Sequence, residues 1–283
     1  MEGPAGGTYA LVMTLPAPNP ARTCLVTGAS SGIGAEIAAL LAARGLGVTL
    51  VARREAKLQV LAEELASKQG IRAEVIVADL TDEASRSHIV SELASRDLVV
   101  NVLVNNAGIS TMGAVQNGDV AGELAMIRTD VEAVVHLCTA LLPGMVERRS
   151  GSILNVASTA AFQPLPGQAG YGASKAFVLS YSHAIRAELR GSGVTVTTLC
   201  PGPVETGFGQ AAGLSDEEAN DSLPKFMWVP VEAVAAAAVA GMDAGRAVVI
   251  PGIANKVGAA SGWLAPRRLI LPLLAKRHPA LKH

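Results

Sequence analysis

Aromatic side chains are scarce here: Phe, Trp and Tyr together make up 3% of 283 residues. A nucleic-acid surface built from basic residues interleaved with stacking rings is therefore excluded, and a formal net charge of −1 offers phosphate backbones no general attraction. Cysteine is equally sparse. Cys24, Cys138 and Cys200 form no C-x-x-C pair and have apolar neighbours, which fits buried thiols in a reducing, cytoplasmic setting rather than a disulfide framework or a thiolate metal site. His88, His136 and His183 lie in helical stretches without metal-ligand spacing, so they read as helix residues and no metal is expected. Met1 to Pro20 has no basic leader region, and its short apolar piece is broken by prolines. It reads as a disordered extension and not as a signal peptide, with Met13 an alternative start.

What the chain does have is aliphatic residues. Half of it is hydrophobic and the mean hydropathy is +0.37, enough for one large core of Ala, Val, Leu and Ile. Apolar runs at Thr23–Thr27, Val48–Ala52, Glu74–Ala78, Val102–Asn105, Ile153–Val156, Thr195–Cys200 and Ala247–Ile250 alternate with helical stretches. That alternation predicts an α/β fold: one doubly wound parallel sheet of the Rossmann type, covered by helices on both faces, spanning 21–255. Ligands of such sheets bind beyond the carboxyl ends of the strands.

Ser158, Tyr171 and Lys175 carry the chemistry. In Tyr171-Gly172-Ala173-Ser174-Lys175 the phenol and the ammonium stand at i and i+4, on one face of a helix. A free phenol titrates at about 10, and a neighbouring cation is expected to lower that value toward useful acid–base work. Ser158, just after Ile153-Leu154-Asn155-Val156, is placed to hold the carbonyl oxygen that Tyr171 protonates. A Tyr-x-x-x-Lys pair also arises by chance on solvated helices, so its context matters.

That context begins at Thr27-Gly28-Ala29-Ser30-Ser31-Gly32-Ile33-Gly34, between the apolar run Cys24-Leu25-Val26 and the helix-forming stretch Ala35–Arg44. A strand, a glycine turn and a helix N-terminus cradle a pyrophosphate: positions without side chains let the backbone approach, and unpaired N–H groups face the anion. An ordinary tight turn is the alternative. After Gly47-Val48-Thr49-Leu50-Val51-Ala52 come Arg53 and Arg54. Folds of this type that take NAD place an acid here for the ribose 2′-hydroxyl, whereas guanidiniums suit the 2′-phosphate of NADP. The alternative is that the arginines only open an exposed helix beside Glu55.

With these residues in view, the chain resembles the short-chain dehydrogenase/reductase family from about Thr23 to Gly252, and is similar to ketoacyl reductases of actinobacterial type, some of which act on long acyl chains. The glycine turn, Asp79-Leu80, Asn105-Asn106-Ala107-Gly108, Ser158, Tyr171 with Lys175, and Pro201-Gly202-Pro203-Val204 with Thr206 fall in family order. The resemblance implies NADP(H) held by Gly28, Ser30, Ser31, Gly32, Ile33 and Gly34 and by Arg53 and Arg54. It implies Asp79 and Leu80 at the adenine, Asn106, Ala107 and Gly108 at the adenine ribose, and Pro201, Gly202, Val204 and Thr206 at the nicotinamide. Lys175 would also hold the nicotinamide ribose, and Tyr171 would face the same ring.

One position departs from the family pattern. Where an asparagine usually kinks a helix and holds a proton-relaying water, this chain has Asp130, which keeps an acceptor but loses the amide donors. The expectation is that Asp130 supports turnover with an altered pH profile.

The resemblance also makes Glu205–Trp228 a substrate lid. Its Phe208, Leu214, Leu223, Phe226, Met227 and Trp228 suit an apolar carbonyl substrate, a β-ketoacyl thioester or another greasy ketone, with steroid or polyketide ketones as alternatives. Assembly as a homo-dimer or homo-tetramer through the Asp119–Arg149 and Tyr171–Arg190 helices is implied. The tail 256–283 surrounds Leu269-Ile270-Leu271-Pro272-Leu273-Leu274 with basic residues and no acid. It packs on its own domain or a second subunit, lies weakly on an anionic membrane surface, or covers the substrate, and Pro266 and Pro272 interrupt any long amphipathic helix. A second class of function is a catalytically weak NADP(H)-bound sensor, motivated by Asp130 alone.

Overall fold

A computed structural model describes residues 15–205, 224–277 and 281. Seven strands form one sheet: β1 (Arg22–Thr27), β2 (Gly47–Ala52), β3 (Ala73–Val77), β4 (Val99–Asn105), β5 (Gly151–Val156), β6 (Val194–Leu199) and β7 (Val248–Val249). Their order is β3-β2-β1-β4-β5-β6-β7 and every pairing is parallel. The chain reverses its direction of travel across the sheet between β1 and β4, which opens a crevice above their carboxyl ends. The doubly wound α/β fold read from the apolar runs is the one observed.

Alternation along the strands builds both faces. Cys24 and Val26 of β1 and Val102 and Val104 of β4 point to one side, where they meet α1 (Gly32–Ala42), α2 (Glu55–Gln69) and α7 (Val231–Asp243). Leu25 and Leu103 point to the other, against α3 (Glu83–Ser95), α5 (Ala133–Glu147) and α6 (Ala169–Glu188). These strands are buried on both faces, which is why they read as unbroken apolar runs. Helix starts are fixed locally. Asp82 accepts from the Ala84 and Ser85 amides, and Asp119 does the same for Ala121 and Gly122 at the start of α4 (Val120–Ile127).

Two expectations about the ends need correcting. Residues 15–20, read as part of a disordered extension, are anchored: Leu15 is buried in the core, and Asn19 receives the Ala21 and Arg22 amides. A single leucine finding a gap at the amino ends of the strands leaves no periodic trace in sequence. In the tail, α8 (Ile253–Leu264) and α9 (Arg267–Arg277) are separated at Pro266, as expected, but Pro272 lies inside α9. The carbonyl it leaves unpaired belongs to exposed Arg268, where water can satisfy it. The extension 1–14, Thr206 and most of the expected lid, including Phe208, Leu214 and Leu223, lie outside the described residues.

Candidate active site

The crevice above β4 and β5 gathers the residues singled out for chemistry. Ser158 follows β5 directly, and its hydroxyl accepts the Ala160 amide at 3.1 Å, capping the turn Thr159–Phe162. The Thr159 amide donates to the Pro201 carbonyl at 2.9 Å, which ties this turn to the segment after β6. Tyr171 and Lys175 lie on the first turns of α6, with Nζ 5.6 Å from the phenol ring centroid. Lys175 is 4% exposed and donates to the Val156 carbonyl at 3.2 Å.

Asp130 completes the group. It sits in a π-helical turn, Arg128–Glu132, that joins α4 to α5. Such turns insert an extra residue and re-aim side chains, often at functional sites. Its Oδ2 lies 2.9 Å from Lys175 Nζ, while Oδ1 accepts the Ile109 amide at 2.9 Å. A Cβ on Gly108 would lie 3.1 Å from Nζ and 3.3 Å from Oδ2, so the loop after β4 closes over the pair.

Electrostatics here run partly against the sequence expectation. Burial pushes the Tyr171 pKa up more strongly than Lys175 and the Ser158 hydrogen bond pull it down, and the net direction is upward. Lys175 was expected to lower it, and does, but desolvation wins. Burial lowers the Lys175 pKa, yet Asp130 and Tyr171 overcome it and hold the ammonium above its ordinary value. Burial likewise raises Asp130, against the pull of Lys175. The result is a neutral phenol beside a fixed buried cation.

The glycine turn lies on the other side of the crevice. Gly28 has φ +65°, where a side chain is strained, and a Cβ there would stand 2.8 Å from Ala107 Cα. A Cβ on Gly34 would overlap the Asn106 amide and lie 2.6 Å from the Gly28 carbonyl. Asn106 Nδ2 donates to the Thr27 carbonyl at 2.9 Å, and Thr27 Oγ1 accepts the Asn106 and Ala107 amides at 3.0 and 3.1 Å. Arg54 reaches back over the turn, with Nη2 2.8 Å from Ser30 Oγ and 2.7 Å from Ser31 Oγ. Gly32 and Ile33 open α1 beneath them. Arg53 lies close enough to Asp79 to act on its carboxyl. Burial would raise that carboxyl, but bonds from the Thr81 amide and hydroxyl, with Arg53, bring it below the usual range. Leu80 beside it is buried.

Two residues hold this arrangement in roles that the sequence reading did not assign. Thr27 could have been noticed as a hydroxyl ending the first strand. Asn255 could not, because its role arises only in three dimensions. It is 1% exposed, its Nδ2 donates to the Met227 and Pro251 carbonyls at 3.0 Å each, and it occupies the space a Cβ on Gly202 would need. Val204 pairs with Val229 as that segment leaves the sheet. The three cysteines are buried, and burial pushes Cys138 and Cys200 up to about 12, so none is a thiolate. Among the described residues no cluster of metal-ligating side chains occurs.

Residues 22–217 match the family model described as short chain dehydrogenase. A sulfoacetaldehyde reductase of Chromohalobacter salexigens is 39% identical over 201 residues, covering 70% of this chain and 79% of that one. A short-chain dehydrogenase of Sphingobium yanoikuyae, solved in complex with NADPH, superimposes with TM-score 0.76 at 33% identity, over 89% of this chain and 95% of that one. A bulky-bulky ketone specific alcohol dehydrogenase of Comamonas testosteroni gives TM-score 0.71 at 29% identity, over 88% and 98% of the two chains. With a serine, tyrosine and lysine converging above the switch point of the sheet, the chain belongs to the short-chain dehydrogenase family and is an oxidoreductase acting on the C=O/CH–OH couple.

Proposed function

We propose that this protein reduces an apolar ketone to an alcohol with NADPH. The observation that carries the reading is the Tyr171 phenol, hydrogen-bonded to Ser158 and faced by a Lys175 ammonium that Asp130 fixes in place. A phenol whose pKa is raised is protonated at neutral pH and is suited to donate. In the proposed step Ser158 holds the carbonyl oxygen and Tyr171 delivers its proton there, while Lys175 stabilises the phenolate left behind.

The donor set fits a phosphorylated dinucleotide. Arg54 spans Ser30 and Ser31 with one guanidinium, Arg53 stands next to it, and position 52 is alanine, so no carboxylate opposes a 2′-phosphate. Gly28, Ser30, Ser31, Gly32, Ile33 and Gly34 would hold the pyrophosphate, Asp79 and Leu80 the adenine, and Asn106, Ala107 and Gly108 its ribose. Tyr171, Lys175, Pro201, Gly202, Val204 and Thr206 would hold the nicotinamide end. When bound, NADPH supplies the hydride. The Sphingobium relative solved with NADPH supports the choice of cofactor.

For the substrate, the apolar residues Phe226, Met227 and Trp228 just before α7 support a greasy ketone, with β-ketoacyl thioesters the first to try. The test is oxidation of NADPH, and separately NADH, against ketones and β-ketoacyl thioesters of increasing length. Turnover with NADPH that rises with apolar length and vanishes in Tyr171→Phe upholds the reading. Tight NADPH binding with no turnover across the panel overturns the apolar-ketone reading in favour of a carbonyl substrate outside the panel or of a sensor.

Assembly into a homo-dimer or homo-tetramer is part of the proposal. Val120 and Leu124 of α4 and Phe177 of α6, stacked on Tyr181, are exposed apolar residues on the two helices expected to mediate it. Light scattering after gel filtration tests this, and a monomer at micromolar concentration removes it. The three buried, unpaired thiols support a cytoplasmic setting.

A further inference from the structure

The tail helix α8 is amphipathic in an unusual sense: small and amide residues face inward and large apolar ones face out. Asn255, Ala259 and Gly262, spaced by four and three, form its buried face. Gly262 seats against Gln163, just beyond the Ser158 turn. The opposite face carries Ile253, Val257 and Leu264, which are 81%, 61% and 76% exposed. Trp263 on the flank is 76% exposed, and Leu269 at the start of α9 is 62% exposed. A helix that is apolar all round is normally covered, and a contiguous exposed apolar strip marks a contact with something else.

Charge identifies what covers it. From Ala244 to the last residue the chain contains no Asp or Glu. Lys256 on the same flank as Trp263, and Arg267 and Arg268 in the first turn of α9, are exposed beside the strip, and Lys276 is exposed further along α9. A protein with net charge −1 overall has thus gathered cations of one sign around exposed Val, Leu, Ile and Trp. An apolar strip for the acyl boundary, a tryptophan at headgroup depth and flanking cations for anionic headgroups are the elements of peripheral membrane binding. Neither of these two tail helices is long enough to span a bilayer: α8 is 12 residues, and α9 is 11 and contains a proline. A second copy of this chain would present the same cations against each other across a two-fold axis and is disfavoured.

We propose that the outer face of α8, with the first turn of α9, docks this protein reversibly onto an anionic lipid surface. The inference rests on this surface alone and stands or falls independently of the reaction assigned to the cleft. The test uses the full chain, co-sedimented with vesicles of phosphatidylcholine alone and of phosphatidylcholine mixed with phosphatidylglycerol. Binding to the anionic vesicles only, weakening as salt is raised, is expected. Arg267→Glu with Arg268→Glu should lower that partitioning about tenfold or more, since each basic residue near such a surface contributes on the order of a fivefold factor. Val257→Ser with Leu264→Ser should also lower it, while far-UV circular dichroism and thermal unfolding like those of the parent show that both variants are folded. Equal sedimentation with neutral and anionic vesicles, or with neither, overturns the proposal. A fall in assembly size of the Val257→Ser, Leu264→Ser protein without lipid also overturns it, because the strip would then belong to a second copy.

Discussion

Replacing Asp130 by asparagine probes the catalytic group most directly. The two side chains are nearly the same shape, and asparagine keeps an oxygen for the Ile109 amide, so charge is the main thing removed. At the 2.9 Å separation of Oδ2 and Nζ, unit charges in an effective dielectric of about 20 interact by about 6 kcal/mol. The amide dipole and relaxing neighbours return much of this, and what remains shifts the titration of both groups that face Asp130. Its sign is the same for both neighbours. Asp130 raises Lys175 and also raises Tyr171, so both fall when the charge is lost. Reduction requires a protonated phenol beside a charged ammonium, and the alkaline limb of kcat/KM should therefore move to lower pH, as an apparent value of the coupled pair. The assay is the pH profile of NADPH oxidation with one ketone, alongside thermal unfolding to confirm that the variant is folded. A limb and plateau identical to the parent would refute the reasoning and leave Asp130 as a structural residue of the π-turn.

Other outcomes follow from the same geometry. Tyr171→Phe should lower turnover by about 10²–10⁴-fold, the usual contribution of a positioned acid, while a binding titration shows NADPH still held. In the oxidative direction Tyr171 must act as a base. Because its pKa is raised, alcohol oxidation should climb through the alkaline range while reduction stays level near neutrality, and an oxidation rate flat from neutral to alkaline pH would contradict this. Arg54→Ala should raise KM for NADPH by roughly 10- to 100-fold, the value of charge-assisted bonds to a phosphate, with KM for NADH little changed. Gly34→Ala should destabilise the fold by about 1–3 kcal/mol, because the added carbon must displace the Asn106 amide or the Gly28 carbonyl, and chemical denaturation will measure it.

Much of this site was legible because strands buried on both faces leave continuous apolar runs and functional residues follow their ends. Ser158, Tyr171 and Lys175 were readable from spacing, and the helix through Asp130 from family order. The π-turn that aims Asp130 was not, since it depends on how α4 and α5 pack. The direction of the Tyr171 shift was misread because sequence places a cation near the phenol but does not show how much water burial removes. Strand β7 was expected over Ala247–Ile250 and is Val248–Val249, an edge pairing set by its single neighbour β6. Asn255 and Gly202 meet across 53 positions of sequence, a contact with no local pattern.

The interlock of Thr27, Gly28, Gly34, Asn106 and Ala107 has a consequence for how the nucleotide arrives. The space freed by the missing side chains is filled by the protein's own β4 loop, which zips the turn to the neighbouring strand through bonds internal to the chain. The receptor for the pyrophosphate is thus a mould held by the fold itself, and such preorganisation lowers the ordering that binding has to offset. Affinity is left to the few arginine and serine contacts at the rim. Choice between the two nicotinamide dinucleotides is thereby separated from the stability of the fold, and Arg53 and Arg54 can be exchanged without disturbing the mould beneath them.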